Sequence, residues 1–269
     1  MQHSIMVITL VAGLFLSGCT SQQEKLAAWG QARGAETRVV HTRTFSLQIV
    51  TPGSLPKGGR LSLFIEGDGQ AWATGSQPSL DPTPGQRDMA RLALDVDHVG
   101  IYMARPCQFV KSPGCSSEVW TDARFSRVAI EAFNDAIDTL KARYEASSIE
   151  LIGYSGGAAI ALLIAEERDD ISRIQTIAGN VDPHAWADLH RLSPLHGSLD
   201  PLEESLRLKH IEQRHFVGSS DTVVPPSLLT GFLARTRPDC SEVVSLPASH
   251  ATLVNHVTGR MLSRPVTCQ

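Results

Sequence analysis

Short apolar runs rich in β-branched residues alternate with longer runs of three-and-four spacing from about residue 41 to residue 262. This alternation constrains the fold more than any other feature, because a strand followed by a helix returns parallel to its neighbour and buries the sheet under helices. Residues 41–53 alternate apolar and polar positions, as a strand with one exposed face does, and residues 58–70 form a strand entering a glycine-rich loop. A helix with proline near its start follows at 81–96, then a strand at 98–106, an amphipathic helix at 123–144 and a strand at 147–155. Beyond a helix at 156–168, strands at 171–182, 210–221 and 241–250 alternate with helices at 226–237 and 251–262. The expectation is a mostly parallel, doubly wound α/β sheet with helices on both faces. At 269 residues, 42% of them hydrophobic, the chain is sized for one such domain.

At residues 153–157 the strand meets its helix as Gly153-Tyr154-Ser155-Gly156-Gly157. A serine held in a sharp strand-to-helix turn projects its hydroxyl above the sheet edge, and glycine on either side removes side chains that would strike the neighbouring strand or helix. An ordinary glycine-rich turn has the same pattern, so the loops beyond the other strand ends decide its meaning. In open α/β sheets functional groups gather there. Asp221 follows one strand in Ser219-Ser220-Asp221-Thr222-Val223-Val224-Pro225, and His250 follows the next in Ser249-His250.

These three segments, in the chain order Ser, Asp, His, resemble those of the α/β-hydrolases over nearly all of the chain beyond its N-terminal segment. The resemblance implies an α/β-hydrolase fold with a short cap at about 183–208. It implies Ser155 as nucleophile, His250 as general base and then acid, and Asp221 as the carboxylate that orients the histidine. Asp182 is a rival for the acid and His256 for the base. The backbone N–H of Gly156 would serve the oxyanion, with a second donor from Glu66-Gly67-Asp68, where family members often carry His-Gly-x: Asp68 first, Gly69 second. The Asp68 side chain is expected to point away or to bind substrate. Trp186, His190, Leu195 and Leu199 are candidates for lining a substrate pocket, whereas Arg105, Trp120 and Arg124 are read as structural. The implied reaction is hydrolysis of a carboxylic ester or related acyl bond, with no cofactor. A peptidase or amidase of the same fold, and a non-catalytic envelope lipoprotein that binds a partner, are the alternatives.

The N-terminus carries an apolar stretch from Ile5 to Leu16, of signal-peptide length, ending in Leu16-Ser17-Gly18-Cys19. That tetrapeptide resembles the lipobox of bacterial lipoproteins. Residues 1–18 are therefore expected to be removed, Cys19 acylated, residues 19–38 to form a tether with a little helix and residues 39–269 the domain. The resemblance places the protein on the outer membrane facing the periplasm, where a small-molecule or envelope-derived acyl substrate is the expected partner. Cys107, Cys115, Cys240 and Cys268 remain, and sequence proximity pairs Cys107 with Cys115 and Cys240 with Cys268. No Cys-x-x-Cys or clustered His/Cys spacing suggests a metal; His184, His190 and His196 recur at six-residue intervals that fit no helical face. A net charge of −4 without any basic block argues against nucleic acid.

Overall fold

The computed structural model describes residues 20–203 and 205–268. Among them, eight strands form one sheet in the order β1-β2-β4-β3-β5-β6-β7-β8. The strands are β1 (Ala35–His41), β2 (Ser46–Pro52), β3 (Arg60–Ile65), β4 (Ile101–Met103), β5 (Ser148–Tyr154), β6 (Ile171–Ile177), β7 (Glu212–Gly218) and β8 (Ser241–Leu246). β1 and β2 pair antiparallel, as do β2 and β4, while every pair from β4 across to β8 is parallel. The helices are α1 (Gln22–Gln31), α2 (Asp88–Ala93), α3 (Ser117–Trp120), α4 (Arg127–Tyr144), α5 (Gly156–Glu167), α6 (Pro183–Leu189), α7 (Pro226–Thr236), α8 (His250–His256) and α9 (Gly259–Ser263).

Each face of the sheet has its own core. Ile130, Phe133 and Ile137 of α4 pack with Ile160 and Leu163 of α5 and Phe232 of α7 on one face. Leu26 of α1, Leu92 of α2 and Leu253 of α8 join Phe64, Ile152 and Phe216 on the other. Helix α5 is buried all round from Gly156 to Ala165, which explains why its sequence lacks a polar stripe. Arg214, fully buried in β7, donates to the carbonyls of Met261, Leu262, Arg264 and Pro265, and the Cys240–Cys268 disulfide ties the same tail to the start of β8.

The N-terminal half departs from expectation in two places. Residues 22–38 hold the expected helix but pack on the domain: α1 is closed by a reciprocal capping box between Ser21 and Glu24, Leu26 is fully buried, and β1 already begins at Ala35. The strand expected to expose one face is β2, which is buried along its centre. Leu47 and Ile49 join the core beneath α4, while Val50 joins the core beneath α1, so two helices cover what alternation alone would leave wet. Cys19 and the segment before it lie outside the described residues. The helix expected at 81–96 is shortened to α2, and the closing helix divides into α8 and α9, the second capped by Thr258 on Met261.

Candidate active site

β5 ends at Tyr154 and α5 starts at Gly156, so Ser155 alone makes the turn, at φ 51° and ψ −121°. A residue with a Cβ is strained there by of order 1–3 kcal/mol, and the surroundings must hold it. The Ser155 N–H donates to the Ile177 carbonyl at 3.0 Å, and the Ser155 carbonyl accepts from the N–H groups of Ala158 and Asn180. A Cβ at Gly153 would lie 2.5 Å from the Gly157 carbonyl oxygen, and one at Gly157 would lie 2.5 Å from that of Ile65. Only glycine lets helix, strand and loop approach so closely.

His250, the first residue of α8, places Nε2 3.0 Å from the Ser155 hydroxyl and Nδ1 2.8 Å from Asp221 Oδ2. The other carboxylate oxygen, Oδ1, accepts the N–H groups of Val223 and Val224 at 2.9 and 2.8 Å, which fixes the plane of the carboxylate. Asp221 is 4% exposed. The Tyr154 hydroxyl donates to the His250 carbonyl at 3.2 Å with its ring tilted against the imidazole. Burial pushes the Tyr154 phenol above its ordinary value, as do the charges of Glu66 and Asp221. The two rivals stand elsewhere: Asp182 caps α6 by accepting the Ala185 N–H, and His256 is exposed at the far end of α8.

The loop after β3 lies against the turn, for a Cβ at Gly67 would come 3.3 Å from that of Ser155. Gly67 is held at both ends, its N–H by the Glu66 carboxylate and its carbonyl by the Gln108 amide. The N–H groups of Asp68 and Gly156 donate to no described residue. The Asp68 side chain does not point away from the serine turn. It sits over Gly156, where an added Cβ would meet Oδ1 at 2.1 Å, and it is bound by Arg105 on one oxygen and by Arg124, at 2.9 Å, on the other. Both arginine side chains are about 95% buried. Burial opposes the ionisation of Asp68, but Arg124 and Arg105 outweigh it and hold the carboxyl below its usual value. The trio carries one net positive charge beside the N-terminus of α5, itself electropositive. Glu66 is also buried, its second oxygen accepting the Tyr102 hydroxyl at 2.9 Å; burial pushes its carboxyl up to about 7.

Ser155 and His250 open onto a cleft of about 380 Å³ whose walls include Glu66, Asp88, Met89, Asn180 and Trp186. A second cavity of about 630 Å³ also has Trp186 in its wall, with Trp72, Leu192 and Leu195 beside Thr121, Asp122 and Arg124. Trp186 belongs to both. His190 belongs to neither wall as a free group: its Nε2–H donates to the Val223 carbonyl at 2.8 Å, an acceptor it shares with the Trp186 indole. Leu199 packs into the core rather than the cleft. The Cys107–Cys115 disulfide closes the loop that carries Arg105 toward the site. Among the described residues of 183–208 are the short helix α6, the start of a 3-10 turn at Arg207 and irregular chain tied to that loop, with Gly197 and Ser198 bonded to Asp122. Asp68 is a site candidate in the sequence and Arg105 and Arg124 read there as structural, but nothing in the sequence joins the three; the Glu66–Tyr102 pair and Asn180 are likewise not singled out there.

Several solved structures superpose on this chain at low identity. An esterase from Pyrococcus furiosus does so with a TM-score of 0.57 over 87% of this chain and 88% of its own, at 15% identity. The esterase domain of a Rhodothermus marinus protein gives 0.57 over 85% and 96%, at 15% identity. An α/β serine hydrolase homologue from Coxiella burnetii gives 0.53 over 84% and 92%, at 16% identity. Together with the sheet order, these define an α/β-hydrolase fold. No family model matches the chain. No curated protein matches it in sequence.

Proposed function

We propose that the chain is a serine hydrolase that cleaves a carboxylic ester through an acyl-enzyme. The observation that carries this reading is the relay from Asp221 Oδ2 through His250 to the Ser155 hydroxyl, at 2.8 and 3.0 Å, on a strained turn. His250 accepts the serine proton as Oγ attacks the acyl carbon. The oxyanion then faces the free N–H groups of Gly156 and Asp68, with the net positive Asp68–Arg105–Arg124 trio behind them; one such backbone donor is worth about 3–4 kcal/mol in the transition state. His250 next gives the proton to the departing alcohol, and a water activated by the same imidazole releases the acid. The superposed proteins described as esterases support the same chemistry.

The export reading belongs to this proposal. A lipid-anchored enzyme at the outer membrane would hold Cys19 acylated and act on small-molecule or envelope-derived acyl substrates, with the two disulfides suited to an oxidising compartment. Labelling with a fluorophosphonate, followed by a screen of esters, amides and peptides on wild type and Ser155→Ala, tests the activity. An adduct on Ser155 with ester turnover lost in the variant is expected. Amide or peptide turnover that exceeds ester turnover would favour the amidase alternative. No adduct on folded protein would leave a non-catalytic envelope lipoprotein.

A further inference from the structure

Large apolar side chains stand in water around the catalytic opening. Leu80 is 94% exposed among the described residues, and Trp72, Leu189, Leu192 and Val223 are each about half exposed. Trp186 links four of them to the cleft: its indole bonds the Val223 carbonyl, Leu189 follows it by one turn of α6, and Trp72 and Leu192 share a cavity wall with it. Leu80 and Trp72 belong to a loop that rises from the cleft itself, since Gly69, Gln70, Pro84 and Gly85 line the cleft and the Gln70 N–H closes the excursion on the Pro82 carbonyl at 3.0 Å. Residues 69–80 and 192–199 contain no Asp, Glu, Lys or Arg. The exposed charges of α6 and its end, Asp188 and Arg191, are opposite in sign. Apolar surface left in water is unfavourable, and a contiguous patch of it marks an interaction surface.

The direction of α1 narrows what this rim would meet. Gly30, late in α1, lies against the start of β1, where a Cβ would come 3.5 Å from Thr37 and 3.6 Å from the Ala35 carbonyl oxygen. Gln23, early in α1, donates to Gln48 at 2.9 Å, opposite Val39 further along β1. Helix α1 therefore runs antiparallel to β1. The far end of β1 pairs with the start of β2, and β2 is antiparallel to β4, so α1 begins at the end of the sheet where β3 to β8 finish and where Ser155 stands. The residues before Ser21, with the apolar stretch from Ile5 to Leu16, join the domain at that same end. A protein seated on the rim would cap the serine, whereas a lipid surface would supply ester to it and requires apolar side chains rather than charge. We propose that the catalytic end of the sheet docks on a lipid surface through this rim, with Trp72 and Leu80 set at the boundary of headgroups and acyl chains. The proposal goes beyond the serine-hydrolase reading and is tested without turnover.

Full-length protein mixed with phosphatidylcholine vesicles, their acyl chains either plain or brominated, tests it. Bromine quenches indoles that reach the acyl chains, and Trp72→Phe isolates the share of Trp72 among the four tryptophans. Wild type should sediment with the vesicles and lose more fluorescence to brominated lipid than Trp72→Phe does. The double variant Leu80→Asp, Leu189→Asp should cut that difference by at least about fivefold, because a charge replaces each apolar side chain at the lipid boundary. Neither leucine lines the cleft or the second cavity. Fluorophosphonate labelling of the same samples reports the hydrolase reading separately: Trp72 quenched with Ser155 unlabelled sinks that reading alone. Trp72 unquenched on vesicle-bound wild type would overturn the docking proposal, for the N-terminal segment alone would then hold the chain and the rim would be left to a second copy or a protein partner. Wild type that does not bind the vesicles would overturn it as well, and so would quenching that survives the double substitution. If the double variant does not fold, the comparison of wild type with Trp72→Phe still decides.

Discussion

The indole N–H of Trp186 donates to the carbonyl of Val223 at 2.8 Å, so α6 hangs from the loop that fixes Asp221. The same residue lines both the cleft at Ser155 and the larger second cavity. Its two roles are separable by substitution. Trp186→Phe keeps the ring but loses the bond, and should lower ester turnover by no more than about tenfold. Trp186→Ala removes the side chain common to both walls and should shift the acyl-length profile toward bulkier esters. An unchanged profile in the alanine variant would dismiss the second cavity as a substrate space.

Asp221 and Asp182 are both buried aspartates past strand ends, yet their partners differ. Asp221→Asn should leave the fold intact and reduce turnover by about ten-thousandfold, because the imidazole loses its correct tautomer and its charge support. Asp182→Asn keeps an oxygen to accept the Ala185 N–H, loses only the ion pair with the half-exposed Arg235, and should leave both stability and most activity in place. Steady-state kinetics of the folded pair with one activated ester decide; the opposite order of damage would move the acid to Asp182.

Removing the carboxylate at 68 leaves Arg105 and Arg124 buried without their shared counter-charge. Asp68→Ala should therefore lose about 3–5 kcal/mol of stability in urea unfolding. A loss below about 1 kcal/mol would mean that water or Glu66 compensates and that the trio is not what fixes the loop.

Glu66 gives the fold a pH dependence of known sign. Burial raises its carboxyl from 4.5 to about 7 in the folded state, so the stability tied to its proton is full below about 4.5 and is lost as the pH rises to about 7. Glu66→Gln should flatten that part of the profile and gain on wild type by of order 1–3 kcal/mol at pH 8, with the Tyr102 hydroxyl free to reverse its hydrogen bond. Parallel profiles for the two proteins from pH 5 to 8 would exclude this role for Glu66.

Cys19→Ser should abolish acylation and either release the protein from the membrane fraction or stop its processing. Membrane attachment and processing identical to wild type would refute the lipoprotein reading.

The sequence made the convergence of Ser155, Asp221 and His250 legible because each follows its own strand end, and a parallel sheet brings such ends to one edge. The pairs Cys107–Cys115 and Cys240–Cys268 were legible from proximity alone. What lay hidden depends on partners remote in the chain and without periodicity. Asp68 meets Arg105 and Arg124 across 37 and 56 positions, and no spacing announces such an ion trio. Asn180 is distinctive through what it fails to bond, which no sequence can display. The packing of α1 on the domain is not legible because its apolar positions are few, although the Ser21–Glu24 capping signal marks the helix itself.

That helix has a mechanical consequence for the proposed anchoring. Ser21 already caps α1, so no more than about 7 Å of extended chain separates it from an acylated Cys19. With so little leash, the catalytic domain could neither reach far from the bilayer nor roll freely above it. The β1–β2 edge of the sheet would ride close to the headgroups, and the orientation of the serine relative to the lipid surface would be set by one rigid turn of helix instead of sampled by a flexible stalk.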